Sequence, residues 1–143
     1  MANFYGTARS NYFQVKDVEK FKAWVESIPS LALIEKQDIL FAIYSDCPDS
    51  GCWPSGKYVA EYDEEGAVVS EDWQDFDLTG ELAEHLKDGE VAVLMEAGAE
   101  KLRYISGWAV AVNHLGETVH VSLDGIYDLA FTKFGVRPTD ASY

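Results

Sequence analysis

Basic side chains all but vanish from the middle of this sequence. Residues 61–100 hold 14 Asp and Glu against one base, Lys87, a balance of −13. The flanks are near neutral, −1 over residues 1–60 and 0 over residues 101–143, within a total of −14 for 143 residues. A surface that grips phosphate needs clustered Lys and Arg, so the central stretch is not one. Nor is there a run near the roughly 18 apolar residues of a membrane-spanning helix. No apolar segment follows a basic start within the first residues, so no secretory signal is expected and the reading is cytoplasmic.

Two cysteines are too few for a disulfide framework. Cys47 and Cys52 enclose Pro48-Asp49-Ser50-Gly51 and read as two thiols in a Pro/Gly loop, although that spacing would allow a bridge. A structural zinc needs two more ligands, and His85, His114 and His120 do not fall into a ligand motif. Asp72, Asp75 and Asp77 lack the calcium-loop pattern with its central Gly and closing Glu. There is no G-x-S-x-G elbow, no P-loop and no G-x-G-x-x-G, and no serine has a motif-linked histidine. No catalytic residue, metal ligand or cofactor is therefore assigned, and the reading is not an enzyme.

What is present is a globular composition. Hydrophobic residues reach 48% and aromatics 13%, which excludes a disordered chain. The length is that of one domain over residues 1–143. Asn11–Lys16 alternates like a strand. Asp17 then caps a helix whose stripe is Val18, Phe21, Trp24, Val25 and Ile28, closed by Pro29. Leu31–Glu35 and Ile39–Tyr44 predict two strands across a Lys36-Gln37-Asp38 turn, and Asp46–Gly56 a loop. Lys57–Tyr62 and Ala67–Ser70 flank an acidic turn with Gly66. Leu78, Leu82 and Leu86 mark a second helix ending near Gly89. Val91–Met95, Arg103–Val112 and Thr118–Leu123 predict three more strands. Asp124 caps a last helix, with Ile126, Leu129, Ala130 and Phe134 as its apolar face and Gly135 as its stop. Tight connections make the sheet mostly antiparallel, with about three helices packed on it: a single-domain α+β fold. Phe21, Trp24, Leu82 and Leu129 are expected to be well buried.

The acidic segment, 61–100, is the candidate site. Glu64 and Glu65 sit in the turn, Glu71, Asp72 and Asp75 precede the second helix, and Glu81, Glu84 and Asp88 lie on it. With the leucines facing the core these carboxylates point outward, at separations of roughly 5–7 Å, comparable with phosphates along a strand. Such a field would attract a basic protein and speed its encounter. Trp73, beside Phe76, would be an aromatic anchor inside the acidic rim. The plain alternatives are a solvated face, favoured by the helix dipole at its N-terminal end, and ordinary core aromatics. Direct nucleic-acid binding and membrane binding are not expected, because the acids repel phosphate.

The opening Ala2-Asn3-Phe4-Tyr5-Gly6-Thr7-Ala8-Arg9-Ser10-Asn11-Tyr12-Phe13, with Val15-Lys16-Asp17, resembles the start of small acidic proteins carried by plasmids and phages. Asp49-Ser50-Gly51 before Trp53-Pro54-Ser55, and Gly107–Val112 leading into Val121-Ser122-Leu123-Asp124, resemble the same group. The resemblance implies a mobile-element setting and assigns no chemistry to any residue. By analogy it implies an anti-restriction or anti-CRISPR inhibitor that mimics DNA and occupies a basic channel of a host nucleic-acid-binding enzyme or effector. Two other classes stay open: an immunity or antitoxin-like protein against a basic nuclease toxin, and a small enzyme or ligand-binding domain.

Overall fold

The computed structural model describes residues 4–48, 50–101 and 103–141, without the side chains of 57–59. Eight strands and three helices follow the order β1 (Tyr5–Ser10), α1 (Val18–Glu26), β2 (Leu31–Lys36), β3 (Leu40–Ser45), β4 (Gly56–Tyr62), β5 (Val68–Asp75), α2 (Leu78–His85), β6 (Val91–Glu100), β7 (Tyr104–Asn113), β8 (Thr118–Ser122) and α3 (Gly125–Phe134). Six strands form one antiparallel sheet, ordered β2-β3-β1-β6-β7-β8, and β4 and β5 form a separate hairpin. The fold is α+β, as expected.

Both leading helices start on an aspartate cap. Asp17 accepts from Lys20 N (3.1 Å) and Asp77 from Gly80 N (3.1 Å), each supplying an acceptor to a helix donor that lacks one. Their apolar stripes bury Phe21, Val25, Leu78 and Leu82, joined by Leu86 just past α2, against Ala92, Leu94, Val110 and Val112 of the sheet. Phe21 is the hub, its ring 5.7 Å from both Phe13 and Phe41 in edge-on geometry.

The strand expected at 11–16 is displaced. β1 ends at Ser10, and beyond it Phe13 and Val15 make only isolated bridges, to Phe41 and Leu86. Side chains take over from the backbone at this exit. The buried Ser10 hydroxyl accepts from Ile43 N (2.9 Å), while the Asn11 side chain accepts from Val93 N (2.8 Å) and donates to Val91 O (3.0 Å). The turn expected at Lys36-Gln37-Asp38 falls one residue later, on Gln37-Asp38-Ile39 with Gln37 and Asp38 at φ 56° and 61°, since Lys36 still pairs with Leu40.

A strand sends alternate side chains to opposite faces. On β6 and β7 the face that carries Leu94 and Val110 is buried in the core, with α2 against β7. The opposite face, which carries Met95, Ala97, Ala109 and Val121, has no helix over it and leaves Met95 and Val121 exposed. α3 does not supply the missing cover. It touches β8 but has no buried residue; Asp124, expected as its cap, is itself helical in backbone and makes no side-chain cap bond, and Leu129, expected in the core, is 66% exposed. Trp24 is only partly buried, while Phe21 and Leu82 are fully enclosed.

Candidate functional site

The acidic segment is split between an arm and a helix. Glu71, Asp72, Trp73 and Asp75, expected ahead of α2, lie on β5, because β5 pairs with β4 all the way to Gly56↔Asp75. The hairpin has almost no apolar partner. Of its described side chains between residues 60 and 75, only Ala60 and Ser70 are less than exposed. Backbone pairing holds it, and its turn is tied by Asp63 Oδ1, which accepts from Glu65 N (2.9 Å) and Ala67 N (2.9 Å), with Gly66 at φ 83°.

The seven residue-to-residue steps of β5 from Val68 to Asp75, at about 3.3 Å each, set the tip carboxylates Glu64 and Glu65 at least ~23 Å along the arm from Asp75. Glu71, Trp73 and Asp75 share one face of the hairpin, stepping roughly 6.6 Å apart, and Asp72 lies on the other. Trp73 is 52% exposed, and its Nε1 donates to Asp75 Oδ1 (3.0 Å). The ring lies over Gly56, where a Cβ would come within 2.5 Å of it.

On α2 only part of the expected set faces outward. Glu84 is exposed, and Asp88 is exposed in the turn after the helix. Glu81 is half-buried and accepts from Trp24 Nε1 (3.1 Å), so it pins α1 to α2. Among the described residues, no carboxylate from 61 to 90 takes part in an ion pair. The arm's described carboxylates are exposed to solvent. His85 lies against Trp24 (5.0 Å) and Phe21 (5.8 Å); that burial lowers its pKa below 6.5, with Glu84, Glu81 and Asp17 pulling the other way.

A second cluster escaped the sequence reading. Glu96 lies opposite Trp108 on β7, accepting from Trp53 N (2.8 Å) at one oxygen and Trp108 Nε1 (2.7 Å) at the other. Trp53 Nε1 in turn donates to Met95 O (3.1 Å). This clamp fastens loop 46–56 to the sheet, and its signal was a lone carboxylate inside an apolar strand. The same loop docks edge-on to β1, Gly6 N donating to Ser50 O (2.8 Å). Cys47 and Cys52 are not joined in a disulfide. Burial pushes the Cys52 thiol up, the Ser50 hydroxyl opposes, and Glu96 adds to the rise.

Among the described residues no group of three or more His, Cys, Asp or Glu is placed to hold a metal ion, and no helix is long and apolar enough to cross a membrane. No family model matches the chain, and neither the curated proteins nor the solved structures hold a match to it.

Proposed function

We propose that the chain is a non-enzymatic acidic binding protein that lays its carboxylate arm on a basic, nucleic-acid-binding surface of a host protein in the cytoplasm and blocks it. The observation that carries this reading is the arm. It holds Glu64, Glu65, Glu71, Asp72 and Asp75 clear of the core, unpaired with cations among the described residues. Opposing charge at such a tip accelerates encounter and disfavours nucleic acid as a ligand. Glu84 and Asp88 extend the acidic surface at α2, and Trp73 supplies an aromatic surface between two carboxylates. Glu81 contributes through its hold on Trp24 and not through contact.

The test starts from a host lysate, with the chain as bait beside a variant carrying Glu71→Lys, Asp72→Lys and Asp75→Lys. The expected result is a partner captured by the unmodified chain alone and released as salt rises, since the Debye length shrinks from about 8 Å to about 3 Å between 0.15 and 1 M. Added in equimolar amount, the chain should then displace nucleic acid from that partner. Equal capture by both baits, or a captured partner that still binds nucleic acid with the chain attached, would overturn the reading. Capture of a toxin nuclease whose catalysis is silenced would instead favour an immunity role for the same arm.

A further inference from the structure

The molecule exposes more surface than a chain of its size should. A compact monomer of 15.9 kDa has about 7,350 Å² of accessible surface by the size scaling of folded proteins. This chain has 9675 Å². The hairpin arm accounts for some of the surplus of about 2,300 Å², with Tyr62, Val68, Val69 and Trp73 exposed among its carboxylates. A second apolar part lies on the uncovered sheet face and on α3.

The sheet face holds a groove of about 450 Å³, walled by Met95, Val121 and Leu123 and floored by the small residues Ala97, Gly107 and Ala109. A floor of small side chains lets another element approach the sheet closely. α3 offers an apolar face of its own. At 100° per residue its apolar side chains run from Leu129 round to Phe131 over about 200° of the circumference, with Lys133 as the one charge inside that arc. A helix so widely apolar is ordinarily enclosed, yet Leu129 and Phe134 are 66% and 72% exposed.

We propose that this apolar face is covered by a second copy of the same chain, α3 of each protomer packing against the open sheet face of the other. Three observations favour a copy over an unrelated partner. The groove and the helix that fits it belong to one chain, which is the self-complementarity a two-fold interface requires. The surplus, shared with the arm, still leaves room for the roughly 800 Å² per partner that a stable interface buries. The charge also permits it: residues 101–143, which supply β7, β8 and α3, sum to 0, and the groove's own charged lining is one Arg9 and one Glu96, so copies meet here without the repulsion the acidic arm would impose. Asp128 and Arg137, exposed and paired at 3.1 Å, place both signs beside the patch.

The experiment is sedimentation equilibrium of the purified chain, with Leu129→Asp/Phe134→Asp and, separately, Val119→Lys on the exposed strand face. The unmodified chain should have twice the 15.9 kDa mass, and both variants should sediment as monomers. If α3 loses its order without the partner, circular dichroism will show it, and the Val119→Lys chain then decides. A further readout needs no variant: the urea midpoint of the unmodified chain should rise with protein concentration, as it does whenever unfolding separates subunits. A monomeric unmodified chain, an open-ended series of larger masses, a midpoint independent of concentration, or a dimer that survives both sets of substitutions would each overturn the proposal. None of these outcomes touches the arm, so the partner-blocking reading is tested separately.

Discussion

Glu96 should be the most consequential single carboxylate for the stability of the fold. Replacing it by Ala removes the acceptors of the Trp53 backbone N–H and the Trp108 indole N–H together. Hydrogen bonds to a charged group contribute about 1.5–3 kcal/mol each. Glu96 is half-buried, so the lower end applies, and two such bonds give a loss of about 3 kcal/mol. For a domain of this length that lowers Tm by roughly 10 °C. The loss should be local before it is global, because the clamp holds loop 46–56. Urea denaturation at fixed protein concentration reads the first effect, and amide exchange at Trp53 reads the second. Glu96→Gln keeps one acceptor oxygen but turns an N–H₂ toward a donor, so it should recover no more than half of the loss. A Glu96→Ala chain within about 0.5 kcal/mol of the parent, with Trp53 as protected as before, would refute the clamp.

Two further outcomes follow from local geometry. Gly51 sits at φ 70°, where a Cβ would lie 1.9 Å from the Gly6 carbonyl oxygen. Gly51→Ala should therefore cost at least about 1–3 kcal/mol and expose the Gly6 amide to exchange, and an unchanged Gly6 amide would contradict the docking of the loop on β1. His85, with its pKa lowered by burial, releases its proton more readily folded than unfolded. The unfolded chain thus takes up the extra proton as pH falls through about 6.5, and stability present above that pH is lost below it. The stability difference between the parent and His85→Gln, measured by denaturation at each pH, should shift in the variant's favour on acidification; a difference that stays flat would show the histidine to be solvated.

The readable parts of the chain were those in which local signals agree. α1 and α2 have caps at Asp17 and Asp77 and apolar stripes at helical spacing, so periodicity and chemistry coincide. β1 was missed because Tyr-Gly-Thr-Ala-Arg-Ser has little apolar alternation; its buried positions are Ala8 and Ser10, small and polar residues that fit beneath other side chains. The alternation of Phe13 and Val15 does report burial, but Ser10 and Asn11 divert the chain out of the sheet first. β5 was cut short at Ser70 because a solvent-exposed hairpin is held by backbone bonds, which leave no mark in hydrophobicity. The stripe Ile126, Leu129 and Phe134 is a true apolar face, yet periodicity reports only that a face is apolar, never which surface meets it. In the acidic segment, charge density located the arm, and the diversion of Glu81 to Trp24 required knowing that α1 crosses beside α2.

The place of β1 in the sheet sets a timetable for synthesis. It is the third strand of six, yet its long partner is β6, paired from Tyr5↔Ala99 to Ser10↔Leu94. A ribosome adding about 5–20 residues per second needs roughly 4–17 s to travel from one to the other. Until then β1 is held from one side, by Arg9↔Tyr44, the Ser10 hydroxyl on Ile43 N and Gly6 on Ser50, and its other edge is open. Pairings this distant along the chain slow folding, because the loop must close before any contact rewards it. Residues 61–90, with 12 acids against Lys87, are made before β6 and are present while that edge waits. A nascent chain of this protein therefore carries most of its negative charge before its sheet is closed, and like charge keeps copies apart while their unpaired strands are most exposed to one another.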